Sequence, residues 1–224
     1  MALLLAPGML WADDSGAGYD AYAAGDYETA YEIWLPLAEK GNAKAQASLG
    51  FMYEHGHGVA QDYAKAARWF RLAAEQGLAN AQFELGRMYS LGKGVIQDYA
   101  EAGRWLRLAA EQGNAKAQAS LGFMYEHGHG VAQDYAEAVR WYRLAAKQGN
   151  ALSQSILGLK YANGEGVIQD YSTAHMWFNI AARNGDSDAA HNRDAAADRM
   201  TPEAIAEAQR RARICIESDY QDCD

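Results

Sequence analysis

Apolar and small residues recur along most of the chain at helical spacing, in two short runs that alternate. They fall at Ala45, Leu49, Met52 and Tyr53 in the first run, and at Ala66, Trp69, Leu72 and Ala73 in the second. Residues spaced by three and four positions share one face of a helix, so each run predicts a helix with one apolar side. The alternation predicts a helical hairpin as the building unit.

The hairpin recurs with a fixed period of 36 residues. The pattern fills 41–76, 77–112 and 113–148, and it returns more loosely in 149–184. Fixed-period similarity of this length is the sequence signature of stacked repeats. The sequence therefore predicts an all-α solenoid built from two-helix repeats.

Glycine and aspartate mark the helix ends in every repeat. A Gly-x-Gly-Val segment follows the first helix, where a helix end and a chain reversal require positive φ, and a short acidic side chain then precedes the second helix. The glycines are Gly56/Gly58, Gly92/Gly94, Gly128/Gly130 and Gly164/Gly166, and the predicted N-caps are Asp62, Asp98, Asp134 and Asp170. A further glycine inside each first helix indicates that two helices pass closely there: Gly50, Gly86, Gly122 and Gly158.

The ends of the chain differ from the middle, as terminal caps of a solenoid do. Residues 13–40 contain a partial repeat whose second helix we expect Pro36 to kink or shorten. The four repeats then occupy 41–188, and 189–224 is predicted to hold capping helices and a tail. The Trp and Tyr that recur in the second helices are interpreted as core residues.

The formal net charge of −9 argues against nucleic acid as a partner, because phosphate binding requires clustered Lys and Arg. Beyond the N-terminus, no run approaches the roughly 18 apolar residues of a membrane span. The apolar residues 1–12, which end in a small residue before an acidic turn, are interpreted as the remainder of an export signal, with a short apolar helix as the alternative. We therefore expect a periplasmic or secreted protein.

Two cysteines lie near the C-terminus, Cys215 and Cys223. An even number of cysteines in an exported chain permits a disulfide that pins the tail. If Cys215 instead faces the core of the last helix, it is an ordinary buried thiol. Both possibilities remain open from the sequence.

The motif AxAQxxLGxMYxxGxGVxQDYxxAxRWxRLAAxQGxA, present across 41–188, resembles the consensus of Sel-one-like repeats (SLR), which are related to tetratricopeptide repeats. The closing MTPEAIAEAQRRA is similar to the C-terminal cap of exported bacterial members. The resemblance implies a right-handed α/α superhelix that serves as an adaptor for other proteins, often in the bacterial envelope.

The sequence predicts neither a catalytic site nor a cofactor. The segment EHGHG, at 54–58 and 126–130, offers two imidazoles each time, but the repeat between them carries Leu91 and Lys93 instead and no third ligand is evident. No Ser or Cys stands in a local arrangement with His and an acid, and the Gly-x-Gly segments lack the Lys-Ser/Thr of a phosphate loop. We predict no metal site.

One stripe of each first helix varies between repeats while the inward face stays constant. Constancy inside with variation along one stripe is typical of a modular binding surface, and exposed Phe and Arg are common anchors. The sequence predicts a scaffold that holds a segment of another protein in a concave groove, or alternatively an envelope protein that binds or hydrolyses a cell-wall glycan or peptide. The candidate partner-binding residues are Ser48, Phe51, His55, Glu84, Arg87, Leu91, Ser120, Phe123 and His127.

Overall fold

A computed structural model describes residues 14–223, so the export signal predicted at 1–12 lies outside the described residues. The described residues form twelve α-helices and no strand. Their bounds are α1 Asp14–Ala23, α2 Tyr27–Glu39, α3 Ala43–His55, α4 Tyr63–Glu75, α5 Ala79–Leu91, α6 Tyr99–Glu111, α7 Ala115–His127, α8 Tyr135–Ala146, α9 Ala151–Asn163, α10 Tyr171–Arg183, α11 Ala189–Ala197 and α12 Pro202–Glu217. The prediction of an all-α fold of two-helix repeats is confirmed.

The helices belong to two compact units, which divide between Asp98 and Tyr99. The first, unit one, contains α1–α5, and the second, unit two, contains α6–α12. None of the described helices is long and apolar enough to cross a membrane.

The predicted helix ends are confirmed wherever the caps are described. The first glycine after each first helix adopts the left-handed conformation: Gly56, Gly92, Gly128 and Gly164. Side chains of Asp62, Asp134 and Asp170 accept hydrogen bonds from backbone N–H groups of the helix that follows. These aspartates therefore satisfy helix donors that would otherwise lack a partner.

Glycines inside the first helices allow an aromatic ring of the second helix to lie directly on the backbone. A Cβ added to Gly50 would lie 2.8 Å from the Phe70 ring, and one added to Gly122 would lie 2.9 Å from the Tyr142 ring. At Gly158 the distance to the Phe178 ring would be 2.5 Å. These distances leave no room for a methyl group, so the predicted close approach of helices is confirmed at these three glycines.

The second glycine of each Gly-x-Gly segment contacts the backbone of the repeat before it. Gly130 has φ of +69°, and a Cβ on it would lie 2.2 Å from the Tyr99 carbonyl oxygen. Gly166 approaches the Tyr135 carbonyl in the same way, at 2.3 Å. Both glycines thus combine a conformation that disfavours other residues with a backbone contact that excludes any side chain.

Tryptophan and tyrosine of the second helices differ in burial. Trp141 and Trp177 are buried, as predicted for core residues. Tyr99 and Tyr135 are 38% and 42% exposed, so the interpretation of the tyrosine series as core is wrong for these two. Each begins its helix, and its backbone rather than its ring makes the contact with the following glycine.

Buried glutamines of the first helices form a polar ladder within each unit. The Gln118 side-chain amide donates to the Ala110 carbonyl at 3.1 Å, and its oxygen accepts from the Gln148 amide at 2.8 Å. Gln46 makes the corresponding bonds to Ala38 and Gln76, at 3.0 and 2.7 Å. Because buried polar groups are costly unless they are paired, these bonds fix how a first helix lies against its neighbours.

At the N-terminal end, α2 continues through Pro36 to Glu39, so the expectation that this proline shortens the helix is wrong. A proline removes one intrahelical hydrogen bond, and near the end of a helix few further bonds depend on it. Trp34 and Ala38, on either side of Pro36, are buried against α3 in the core of unit one.

At the C-terminal end, a disulfide joins Cys215 of α12 to Cys223. Both sulfurs belong to buried residues of the core of unit two, so Cys215 faces the core and is also bonded. Tyr220, inside the loop that the disulfide closes, donates its hydroxyl hydrogen to Asn184 at 3.0 Å. The tail is thereby held against the end of α10.

Candidate protein-binding surface

In unit one, the predicted stripe exposes apolar side chains on both first helices. Phe51 of α3 and Leu91 of α5 are 40% and 55% exposed. His55 stacks on Phe51 with ring centroids 4.0 Å apart, and its Nδ1 lies 3.0 Å from the Phe51 carbonyl oxygen. A carbonyl oxygen only accepts, so Nδ1 of His55 is the donor in this bond.

Unit two repeats this arrangement on α7. Phe123 is 47% exposed, and His127 stacks on it at 4.1 Å with the same Nδ1 bond to the Phe123 carbonyl. His57 and His129 lie close to these stacks, with ring centroids 5.6 and 5.7 Å from His55 and His127. Among the described residues, no group of three potential ligands could hold a metal ion.

The stripe continues into the fourth repeat, where no partner-binding residue was predicted from the sequence. Leu152 and Leu159 of α9 are 63% and 42% exposed. They occupy the positions of Lys44 and Phe51, 108 residues earlier, so the repeat register alone could have identified them. Unit two therefore presents Phe123, Leu152 and Leu159 as large exposed apolar residues on its first helices.

Ser48 is not available on this stripe, because it is buried and lies 3.3 Å from the Tyr19 hydroxyl of α1. Ser120, at the same register in α7, is partly exposed. The difference comes from α1, a shorter helix whose side chains cover the start of α3.

Arg87 and Glu84 form an ion cluster with Glu54 rather than two free anchors. The Arg87 guanidinium donates to Glu84 at 2.7 Å and to Glu54, whose side chain is only 6% exposed. Burial opposes the charge on Arg87, but the hydrogen bonds to Glu54 and Glu84 outweigh it and raise the pKa of Arg87. Arg87 thus neutralises the buried carboxylate of Glu54.

A second cluster, not predicted from the sequence, surrounds Lys160 in unit two. This buried lysine occupies the register of the core residues Met52 and Met124, and its ammonium group donates to Glu126 and Glu165. Burial lowers the pKa of Lys160, but the bonds to both carboxylates outweigh burial and raise it. The hydrogen bond from Lys160 lowers the pKa of Glu165.

Besides their cation and their second carboxylate, the two clusters differ in a hydroxyl group that only the second one contains. Tyr142 donates to the Glu126 carboxylate at 2.8 Å, and burial together with this bond raises the pKa of Tyr142. Phe70 occupies the same register in the first repeat, and the buried Oε2 of Glu54 has no hydrogen-bond partner there. The first repeat thus has an acceptor without the donor that the third repeat supplies.

We expect Phe70→Tyr to raise the free energy of unfolding by about 1 kcal/mol, because the new hydroxyl can donate to Glu54. Urea denaturation at an unchanged m-value measures the gain. Phe178→Tyr is the matched control, since the residue at the Glu54 register in that repeat is Ala162. A gain of equal size in both variants would contradict this explanation.

His175 is a buried titratable group outside both clusters. It is 2% exposed on α10, and its Nδ1 has no hydrogen-bond partner among the described residues. Burial lowers the pKa of His175; the charge of Arg193 lowers it further and that of Asp194 opposes this. The folded chain therefore holds this imidazole neutral.

We expect His175→Val to reduce the loss of stability on acidification, because Val139 is buried at the same register in the third repeat. A folded-state pKa below the unfolded value of about 6.5 means that the unfolded chain binds more protons as the pH falls through this value. The difference between variant and wild type can grow by at most about 1.4 kcal/mol per pH unit. Urea denaturation at pH 8 and pH 5 checks this, and parallel losses would contradict it.

The family model for the Sel1 repeat matches residues 43–78, 79–114, 115–150 and 151–186. Each match contains one pair of helices, from α3 and α4 to α9 and α10. No curated protein matches the chain.

Solved structures agree with this assignment. The chain is similar to a Sel1 repeat protein from Oxalobacter formigenes, with 36% identity over 78% of this chain and 71% of that one and a TM-score of 0.74. It is also similar to a protective antigen with an SLR fold from uropathogenic Escherichia coli, with 36% identity, 93% of this chain covered and a TM-score of 0.80. The chain spans about half the length of that antigen, 49%.

An immunity protein from Pseudomonas aeruginosa, 21% identical over 99% of this chain and 86% of its own, shares the fold alone, with a TM-score of 0.53. The four consecutive matches from 43 to 186 cover more than half of the chain. On this evidence the chain belongs to the Sel1 repeat family.

Proposed function

We propose that this protein is a scaffold that binds a segment of a partner protein through the exposed stripe of its first helices. Sel1 repeat proteins are generally protein–protein interaction scaffolds. The observation that carries the proposal is the recurrence of large exposed apolar residues at this stripe, Phe51 and Leu91 in unit one and Phe123, Leu152 and Leu159 in unit two. Phenylalanine is among the aromatic residues enriched at protein interfaces, and exposed apolar patches mark interaction sites.

The second helices offer a rival surface, because Leu72, Leu108 and Leu144 are 37%, 38% and 40% exposed. These three positions carry leucine in each of the first three repeats, and the fourth repeat has the buried Ile180 there, whereas the first-helix stripe carries different residues from repeat to repeat. A surface that distinguishes one partner from another requires differences between positions. We therefore place the partner on the first helices.

We expect the triple variant Phe51→Ala, Phe123→Ala and Leu152→Ala to lose its partner, with affinity reduced at least about tenfold through the loss of apolar anchors. Proteins retained from an extract of the source cells by immobilised wild type and by the variant are compared by mass spectrometry. Arg87 is left unchanged in this test, because its removal would expose the effect of unpaired Glu54 instead.

The control is the triple variant Leu72→Ala, Leu108→Ala and Leu144→Ala, which removes the same number of exposed large apolar side chains from the second helices. Retention of the same partner by the control, but not by the first-helix variant, is the expected result. A partner lost only from the control would place the interface on the second helices and overturn the assignment.

The carboxylates of the two ion clusters around Arg87 and Lys160 do not support the alternative of glycan hydrolysis. Hydrolysis of a glycosidic bond ordinarily requires two available carboxyl groups on either side of the bond. Glu54 and Glu84 are both held by Arg87, and Glu126 and Glu165 are both held by Lys160. The arrangement favours a binding role.

We also propose that the protein acts in the periplasm or outside the cell. The disulfide between Cys215 and Cys223 supports this location, because such bonds persist in oxidising compartments. Thiol alkylation of protein recovered from fractionated cells tests the proposal. Two free thiols on protein found only in the cytoplasmic fraction would contradict it.

A further inference from the structure

A recess of about 200 Å³ opens between α9, α10 and α11 in unit two. Phe178 and Ala196, both buried, form its apolar floor, and Leu159 of the first-helix stripe forms one side. Pockets for whole small-molecule ligands usually measure about 300–1,000 Å³, whereas an apolar cavity of about 150 Å³ accommodates benzene. The recess therefore has a size that suits side-chain groups of a partner segment rather than a whole cofactor.

The recess lies where the fourth repeat lacks a carboxylate that two other repeats have. Ala162 lines the recess at the register of Glu54 and Glu126. Phe178 occupies the register of Tyr142, which donates to Glu126 in the third repeat. The replacement of glutamate by alanine removes the side chain that would otherwise lie beside this ring.

A cationic side chain nevertheless lines the recess. Glu54 is paired with Arg87 and Glu126 with Lys160, each cation coming from the next first helix. Arg199, in the capping region just beyond α11, lines the recess and is the one charged residue among the described residues that line it. No ion pair or hydrogen bond of its guanidinium occurs within the described part of the chain.

We propose that this recess binds a carboxylate of the partner segment, in the place of the missing glutamate, while the adjoining apolar side chain of that segment lies on Phe178. Arg199 pairs with the carboxylate, an interaction that a guanidinium can make with two parallel hydrogen bonds. Asn192 and Tyr171 also line the recess, and each carries a side chain that is able to donate a hydrogen bond. The assignment of the carboxylate to a protein partner rests on the proposed function. The existence of a carboxylate-binding site does not depend on that function.

Three short peptides test the chemistry directly: N-acetyl-Gly-Phe with a free carboxylate, the same peptide as its C-terminal amide, and N-acetyl-Phe-Glu amide. Titration into the ¹⁵N-labelled full chain is followed through the amide resonances of Asn163, Asn192 and Ala195. We expect the free acid to bind with Kd on the order of 1 mM and the neutral amide at least about tenfold more weakly. Binding of the glutamate peptide as tightly as the acid would assign the carboxylate to a side chain, and weaker binding would assign it to a chain terminus.

Two variants disable the site, one by removing its cation and the other by occupying the recess. Arg199→Gln deletes the cation, and Ala162→Glu supplies an internal carboxylate that occupies the recess and pairs with Arg199. Each should weaken the acid peptide at least about tenfold, whereas Arg213→Gln, at another exposed arginine, should leave the affinity unchanged. Equal binding of acid and amide, unchanged binding to Ala162→Glu, or no resonance shift at the recess would overturn the proposal.

The two proposals fail separately. If the acid peptide does not bind but the partner is still lost from the Phe51, Phe123 and Leu152 variant, only the recess is wrong. If the peptide binds and the partner survives that variant, the recess stands and the first-helix interface is wrong.

Discussion

Gly130→Ala is expected to lower the free energy of unfolding by about 3 kcal/mol, of which about 1–2 kcal/mol is the cost of a left-handed conformation for a residue with a side chain. The remainder comes from the contact of the new Cβ with the Tyr99 carbonyl oxygen, at 2.2 Å. Overpacking a close contact costs about 1–3 kcal/mol, and a backbone atom cannot rotate away as a side chain can. Urea denaturation of the full chain, followed by far-ultraviolet circular dichroism, measures the loss.

Gly113→Ala separates the two contributions. Gly113 also has positive φ, +86°, but a Cβ on it would meet no atom within 4 Å. We expect this variant to lose only about 1 kcal/mol, since the conformational cost is partly offset by the lower entropy of the unfolded chain. Equal losses for Gly113→Ala and Gly130→Ala would show that the contact between successive repeats contributes nothing.

Arg87→Ala should cost about 3 kcal/mol, because it leaves the buried Glu54 carboxylate without a counter-charge. Among the described residues, the Oε2 atom of Glu54 has no hydrogen-bond donor, and Oε1 accepts from Arg87. Removal of Arg87 therefore removes this donor and the counter-charge of the carboxylate. The double variant Arg87→Ala with Glu54→Gln should recover most of the loss, since a neutral amide is much less costly to bury than a carboxylate. Both are measured by urea denaturation.

Arg104→Ala is the control for this experiment. Arg104 pairs with Glu101 at 3.0 Å, but their side chains are 56% and 38% exposed. Exposed pairs contribute at most about 1 kcal/mol, so the control should change stability little. If Arg87→Ala costs no more than the control, or if Glu54→Gln fails to rescue it, Arg87 is not a structural counter-charge and returns to the set of candidate partner contacts.

The helices and their ends could be predicted from the sequence because they depend on interactions between residues that are close along the chain. Gly128 ends α7 with positive φ, and Asp134 caps α8 with its side chain, as their residue types and register indicated. Such features require only the geometry of one helix end. The same residue types occur at these positions in all four repeats, so each repeat predicts the same helix ends.

The candidate surface was less predictable because it depends on long side chains and on distant segments. Lys160 occupies a methionine register, yet its flexible stem carries the ammonium group to Glu126 and Glu165. Ser48 is covered by Tyr19, a residue 29 positions earlier that the repeat pattern does not place. Leu152 and Leu159, by contrast, could have been found by extending the same register.

The buried glutamine ladder has a consequence for how such a protein can change in evolution. Each repeat contains both halves of its joint, an amide on the first helix, as in Gln118, and a carbonyl on the second, as in Ala110. Residues 41–64 and 113–136 are identical, so the first-helix segment that contains the ladder glutamine, Gln46 or Gln118, recurs unchanged in the first and third repeats. Tandem duplication or loss of whole repeats therefore preserves every internal partner, while single substitutions such as Ala162 for glutamate can create a new recess without altering the joint.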